Sequence, residues 1–282
     1  MNEKNDSWDL IIDGRQGWFD LRLREVWRYR DLLLLFVKRD FVTFYKQTIL
    51  GPLWFFIQPL LTTITFTIIF GNIANIGTDD IPKPLFYLSG IVIWNYFSTS
   101  LTAVSGVFNA NARIFGKVYF PRLIMPLSIV VSNLIKFGVQ FLIFLTVLGY
   151  YFFQEEVVPN AWVLCTPYLI VLMALLSLGI GMIISSLTTK YKDLTFLITF
   201  GLQLFMYLTP VIYPSSRIPE KYRMLYELNP LVGIFECFKF GFLGKGSFQP
   251  SDLIYSTLVT VFFLLLGTII FTRVEKSFMD TV

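Results

Sequence analysis

The sequence predicts an all-α integral membrane protein with six transmembrane helices, and three observations carry that expectation. Of 282 residues, 55% are hydrophobic and only 15% charged, with a mean hydropathy of +0.64. A soluble chain of this size needs far more charge to cover its surface. The apolar residues also gather into long runs nearly free of charge, each able to cross about 30 Å of hydrocarbon as a helix. Finally, basic residues concentrate in alternate loops, as they do on the cytoplasmic side of membrane spans.

Taken in order, residues 1–17 are polar and acidic and lack the apolar core of a secretory signal, which predicts a flexible cytoplasmic terminus. In residues 18–46, Phe19, Leu23, Val26, Leu33, Val37 and Phe44 recur with arginines between them. That pattern predicts an amphipathic helix on the cytoplasmic membrane surface, a simple cationic anchor being the alternative. Within 47–282 the spans are expected at 53–70, 85–108, 123–153, 161–187, 194–213 and 253–271, with Pro52, Pro84, Pro121 and Pro214 near their ends. The loop 109–122 carries Arg113, Lys117 and Arg122, and Lys190, Lys192, Arg273 and Lys276 fall on the same side. Both termini are therefore expected in the cytoplasm. In the outer segment 214–250, helical pieces at 220–228 and 231–242 are separated by Asn229-Pro230, a stop-and-restart signal. A re-entrant hairpin suits such a segment, because irregular backbone at membrane depth is tolerated only when protein surrounds it.

Several chemistries are excluded. There is no histidine, so imidazole catalysis and histidine metal sites are absent. Cys165 and Cys237 have no metal-ligand spacing and are expected as two unlinked thiols, and no metal site is expected anywhere. The net charge of +4 is tied to the loops and does not suggest nucleic acid. No GxxxxGK[ST] loop is present; the fragment Gly244-Lys245-Gly246-Ser247 lacks its spacing. If this chain moves cargo uphill, another chain must hydrolyse the ATP. There is no internal repeat, so an inverted-repeat transporter has no support.

The spans show faces more than sites. Gln58, Thr62 and Thr65 share a side of the first span, and Phe196, Phe200, Gln203, Tyr207 and Pro210 share a side of the fifth. Aromatic rings among hydrogen-bonding groups suit a lining that stacks on sugars; a lipid-facing stripe is the alternative. Asn95, Thr99, Thr102 and Gly106, and the seam Ser177, Gly181 and Ser185, read as helix-packing faces. Lys136, about 13 residues into the third span, is expected near the bilayer centre, where a charge costs about 3 kcal/mol or more. It is either a channel residue that meets anionic cargo or a structural lysine with a local partner.

The loop Asn111 to Pro126, with Phe120-Pro121-Arg122 and Pro126 at its end, resembles the cytoplasmic loop of permease subunits in type-2 ABC exporters of the polysaccharide branch, which export O-antigen, capsule or teichoic acid. Lys192-Asp193, the run Leu208 to Pro214, Asn229-Pro230-Leu231 and the stretch Leu50-Gly51-Pro52-Leu53-Trp54 are similar as well, so the resemblance covers about 18–278. It implies a homodimer in the bacterial inner membrane above two separate ATPase subunits, with ATP and Mg bound by those subunits and no cofactor held by this chain. It further implies a coupling helix at about 110–120, with Arg113, Phe115, Lys117, Phe120, Pro121 and Arg122 as ATPase-coupling residues. The helix at 18–46 becomes an interface helix. Gln58, Thr62, Thr65, Lys136, Phe196, Phe200, Gln203 and Tyr207 become channel-lining candidates, and Pro210, Tyr213, Asn229 and Pro230 belong to an outer gate. The expected cargo is a lipid-linked polysaccharide. Alternatives are a type-2 exporter of drugs or small lipids and, more remotely, a membrane-embedded glycan-transferring enzyme, for which the carboxylates are too scattered.

Overall fold

Helical periodicity in the sequence becomes helix throughout: the computed structural model describes residues 23–46, 50–115, 120–191 and 193–278, which contain no strand. The expectations at 1–22, Lys117 and Lys192 lie outside the described residues. In chain order the helices are α1 (Leu23–Arg28), α2 (Arg30–Lys46), α3 (Trp54–Phe66), α4 (Lys83–Ser105), α5 (Val107–Phe115) and α6 (Ile124–Phe153). They continue with α7 (Thr166–Thr188), α8 (Leu194–Met206), α9 (Glu220–Glu227), α10 (Pro230–Leu243) and α11 (Pro250–Phe278). Among the described residues four helical segments are long and apolar enough to cross a membrane: Gly51–Ile73, Ile124–Phe153, Ala161–Thr188 and Pro250–Glu275.

α7 lies at the centre, packed most heavily on α11 and α4. Its two small-residue faces explain the sandwich. A Cβ on Gly179 would come within 2.7 Å of the Phe263 carbonyl of α11, and one on Gly181 within 2.7 Å of Val104 of α4. In lipid, helices gain little from hiding apolar surface from one another, so close backbone approach and dispersion must hold them. Ser177 and Ser185 of the predicted seam are fully buried, as a packing face requires.

α4 is 23 residues long yet falls outside the apolar segments. Its neighbours are α3, α6, α7 and α10 on most sides, and a helix walled by protein needs less hydrocarbon character than one facing lipid. Its polar groups are used internally: Ser100 Oγ accepts from Asn133 Nδ2 at 3.3 Å, and Asn95 Nδ2 donates to Gln140 Oε1 at 3.3 Å. Thr99 and Thr102, expected on the same packing face, are exposed.

Two boundaries correct the sequence reading. The expected span 85–108 breaks at Gly106, and α5 starts at Val107. The expected fifth span 194–213 stops at Met206, seven residues early. Pro210 has no N–H to offer and its ring crowds the carbonyl four residues back, which disfavours helix here, although α3 runs on through Pro59. The chain unwinds instead, and Val211 and Ile212 turn inward against α4, where Gly90 leaves room for the Val211 Cα.

The N-terminal stripe also needs revision. Val26, Leu33 and Val37 face the helical body, and α2 packs on α6, while Trp27, Leu34 and Leu35 are the exposed apolar residues. Leu23 and Phe44 lie in these helices. The stripe therefore docks α2 onto protein. The outer segment matches expectation in its helices: Asn229 accepts from the Leu231 N–H at 3.0 Å as an N-cap, and Gly244 ends α10 in the left-handed region at φ 69°.

Candidate functional site

The loop after α4 is built on aromatic rings. Phe108 stacks on Phe271 of α11 with centroids 4.5 Å apart and planes 21° apart. Phe115 meets Phe108 and Phe120 at 5.9 Å each, and Phe120 meets Phe36 of α2 at 5.8 Å. All five rings are buried. Arg122 lies over the Phe115 ring, donates from Nη1 to the Glu275 backbone oxygen at 2.5 Å, and has its Nε 3.7 Å from the Glu275 carboxylate. Phe115, Phe120 and Arg122 thus face inward and fix the loop to α2 and α11. Of the expected ATPase-coupling residues, these three therefore hold the loop from within and do not form its outer surface. Pro121 is half-buried, Arg113 lies on α5, and the outward side chains of that helix include Asn109 and Ala110, which sequence reasoning passed over.

The two lining faces are open. On α3, Gln58 and Thr65 are exposed and Thr62 half-buried, while Phe55, Pro59 and Thr63 turn inward. On α8, Phe196 is 81% exposed and Phe200 62%, with Gln203 and Tyr207 exposed on the same side. Both helices touch α4, but α8 has few other neighbours. A cavity of about 440 Å³ between α8 and α4/α7, and one of about 1120 Å³ among α8, α9 and α11, share Ile180 and Phe205. α8 is therefore held to the body by few residues, Ile198 and Phe205 among them.

Lys136 is half-buried on α6, where α2 packs, and the Asp40 carboxylate of α2 lies close enough to act on it electrostatically. Arg39 also holds Asp40, at 2.7 Å. Of the two readings of Lys136, this neighbourhood favours the structural one.

The outer segment contains the groups that sequence reasoning missed. Glu236 and Lys239 are 4% and 2% exposed in the apolar helix α10. Ser215 donates to Glu236 Oε1 at 2.5 Å and lies 3.0 Å from the Tyr226 hydroxyl. Lys239 Nζ donates to the Pro210 carbonyl and sits 3.5 Å from the centre of the Phe86 ring. Burial lowers the pKa of Lys239, opposed by Glu236 and Asp79. The visible signal was two opposite charges three residues apart in an otherwise apolar helix. Of the predicted outer-gate residues, Pro210, Tyr213 and Asn229 are brought together with Lys239, and Pro230 opens α10 beside them. Among the described residues no group of three metal-ligating side chains forms.

Residues 31–243 match the family model of the ABC-2 type transporter. The chain belongs to that family. It is a membrane component of a transporter, spanning the bilayer several times. It is similar to two O-antigen export system permease proteins RfbA: one from Klebsiella pneumoniae, 30% identical over 254 residues (89% of this chain, 94% of the relative), and one from Myxococcus xanthus, 27% identical over 263 residues (92% and 98%). It is also similar to the polysialic acid transport protein KpsM of Escherichia coli, 24% identical over 250 residues (86% and 93%).

Proposed function

We propose that this chain is the membrane-spanning subunit of an ATP-driven exporter that moves a lipid-linked polysaccharide out of the cytoplasm across the bacterial inner membrane. The observation that carries this reading is likeness to polysaccharide export permeases over nearly the whole of both chains. Two copies form the pathway, with α3 and α8 of each lining it. Their exposed aromatic and amide side chains grip sugar rings by stacking and hydrogen bonding without reading one sequence of sugars. ATP and Mg bind to two separate ATPase subunits beneath α5. The topology comprises six spans: the four apolar segments, α4, and α8 with its unwound outer turn. Both termini are cytoplasmic, and α9 and α10 form a re-entrant outer gate.

The test is removal of the protein from its host, followed by location of the lipid-linked glycan in intact and permeabilised cells. Glycan that accumulates inside while the surface goes bare, restored by the returned gene, is the expected result. A normal surface polymer would overturn the reading and turn attention to drugs or small lipids.

A further inference from the structure

The outer end of α8 repays a complete account of its backbone carbonyls. From residue 204 to 210 every one accepts a hydrogen bond, although the helix has already stopped. The carbonyls of Leu204, Phe205, Met206 and Thr209 accept from the backbone N–H groups of Tyr207, Leu208, Thr209 and Val211. The other three are satisfied by side chains of the outer segment. Tyr213 donates its hydroxyl to Tyr207 at 2.6 Å, Asn229 its amide to Leu208 at 2.9 Å, and Lys239 its ammonium to Pro210. Beyond the end of α8 at Met206 the Pro210 carbonyl has no helical partner, and the buried ammonium satisfies it with a charge-assisted hydrogen bond. Lys239 is also the donor that reaches from the middle of α10, and the Phe86 ring of α4 closes over its ammonium. Away from this end α8 is weakly held, with the cavity of about 440 Å³ between it and α4/α7 and its ring-bearing face uncovered, while the larger cavity lies at the outer end itself, lined by Leu208, Tyr213 and Asn229.

We propose that Lys239, assisted by Tyr213 and Asn229, is a positioning residue of the export pathway, which clamps the outer end of α8 to the re-entrant helix α10 and so holds the outer mouth closed at rest. The proposal rests on the reading of α8 as a channel wall. Pinned at one end and loosely packed elsewhere, α8 can swing only about its outer turn, and the mouth opens when α10 moves with it. Lys239 touches no cargo; it acts through the Pro210 carbonyl.

The experiment uses the whole exporter with its ATPase subunits in inverted and right-side-out vesicles. Leu204→Cys, at an exposed position of α8 outside the proposed sugar-gripping set, in a background with Cys165→Ala and Cys237→Ala, is labelled from the outer side with a membrane-impermeant maleimide. The parent should be labelled slowly at rest and faster during ATP turnover. Lys239→Met should raise resting labelling about tenfold, the factor that accompanies loss of one hydrogen bond to a charged group. Glycan export should fall by a similar factor while ATP hydrolysis persists, and Lys239→Arg should restore both. A residue that merely supports folding would lower assembly, hydrolysis and export together. If Lys239→Met does not accumulate, Tyr213→Phe, which removes one hydroxyl, should still raise resting labelling. Parent-like labelling and export in the variant that accumulates overturns the clamp and leaves α8 as a channel wall. Absence of labelling in every protein, resting or turning over, overturns the channel-wall reading and the clamp with it.

Discussion

α7 and α8 are consecutive helices in one chain, separated by a handful of residues, and they are held in opposite ways. α7 meets the α11 backbone at Gly179 and the Val104 side chain of α4 at Gly181, and its Ser177 and Ser185 are fully buried. α8 carries Gly201 with nothing within 4 Å of where a Cβ would sit, and its phenylalanines face outward. The lesson is that small residues mean different things according to what approaches them: at Gly179 the missing side chain is a contact, and at Gly201 it is only a missing side chain. A tightly packed helix and a loosely packed one can therefore be told apart by what approaches their glycines.

Substitutions can break or sharpen that contrast. The largest effect is expected for Gly179→Val, which drives a side chain into the α11 backbone; overpacking of this kind costs about 3 kcal/mol or more. Little folded protein should remain in detergent, and normal thermal stability would refute the backbone contact. Next, Phe120→Ala opens a cavity in the ring cluster that fixes the loop between α5 and α6, at a cost of about 3 kcal/mol. The loop should loosen and ATPase co-purification fall markedly while the chain still inserts; unchanged co-purification would remove this cluster from coupling. Lys136→Ala should behave as the loss of a charge pair, and a double-mutant cycle with Asp40→Asn should give a coupling of about 1 kcal/mol in stability. Additive effects, together with an export defect at normal protein levels, would return Lys136 to the cargo. The smallest effect is expected for Gly201→Ala, which should stabilise α8 by about 0.5 kcal/mol through helix propensity alone. A large loss there would mean that a second copy of the chain packs on that position.

The sequence made the framework legible because hydrocarbon thickness and helical period constrain it strongly. α6, α9 and α10 lie within a residue or two of their expected bounds. The fifth span was read too long because the apolar run Leu208 to Tyr213 looks the same whether it crosses lipid or folds back into protein. Pro210 marks the place, but a proline alone does not decide it, since α3 runs through Pro59. The direction of Phe115 and Phe120 was not legible, since an aromatic ring in a basic loop fits a partner's groove and the protein's own core equally well. Glu236 and Lys239 escaped notice as site residues because composition does not distinguish a solvated ion from one enclosed by Phe86, Ser215 and the Pro210 carbonyl.

The ring series Phe36, Phe120, Phe115, Phe108 and Phe271 joins three stretches of chain that are far apart in sequence. Anyone grafting the α5–α6 loop of another permease onto this chain would be exchanging one part of a five-ring cluster whose other rings stay behind. A working chimera should therefore carry its own α2 and the C-terminal end of its own last helix, and a loop transplanted alone should arrive with no seat to hold it.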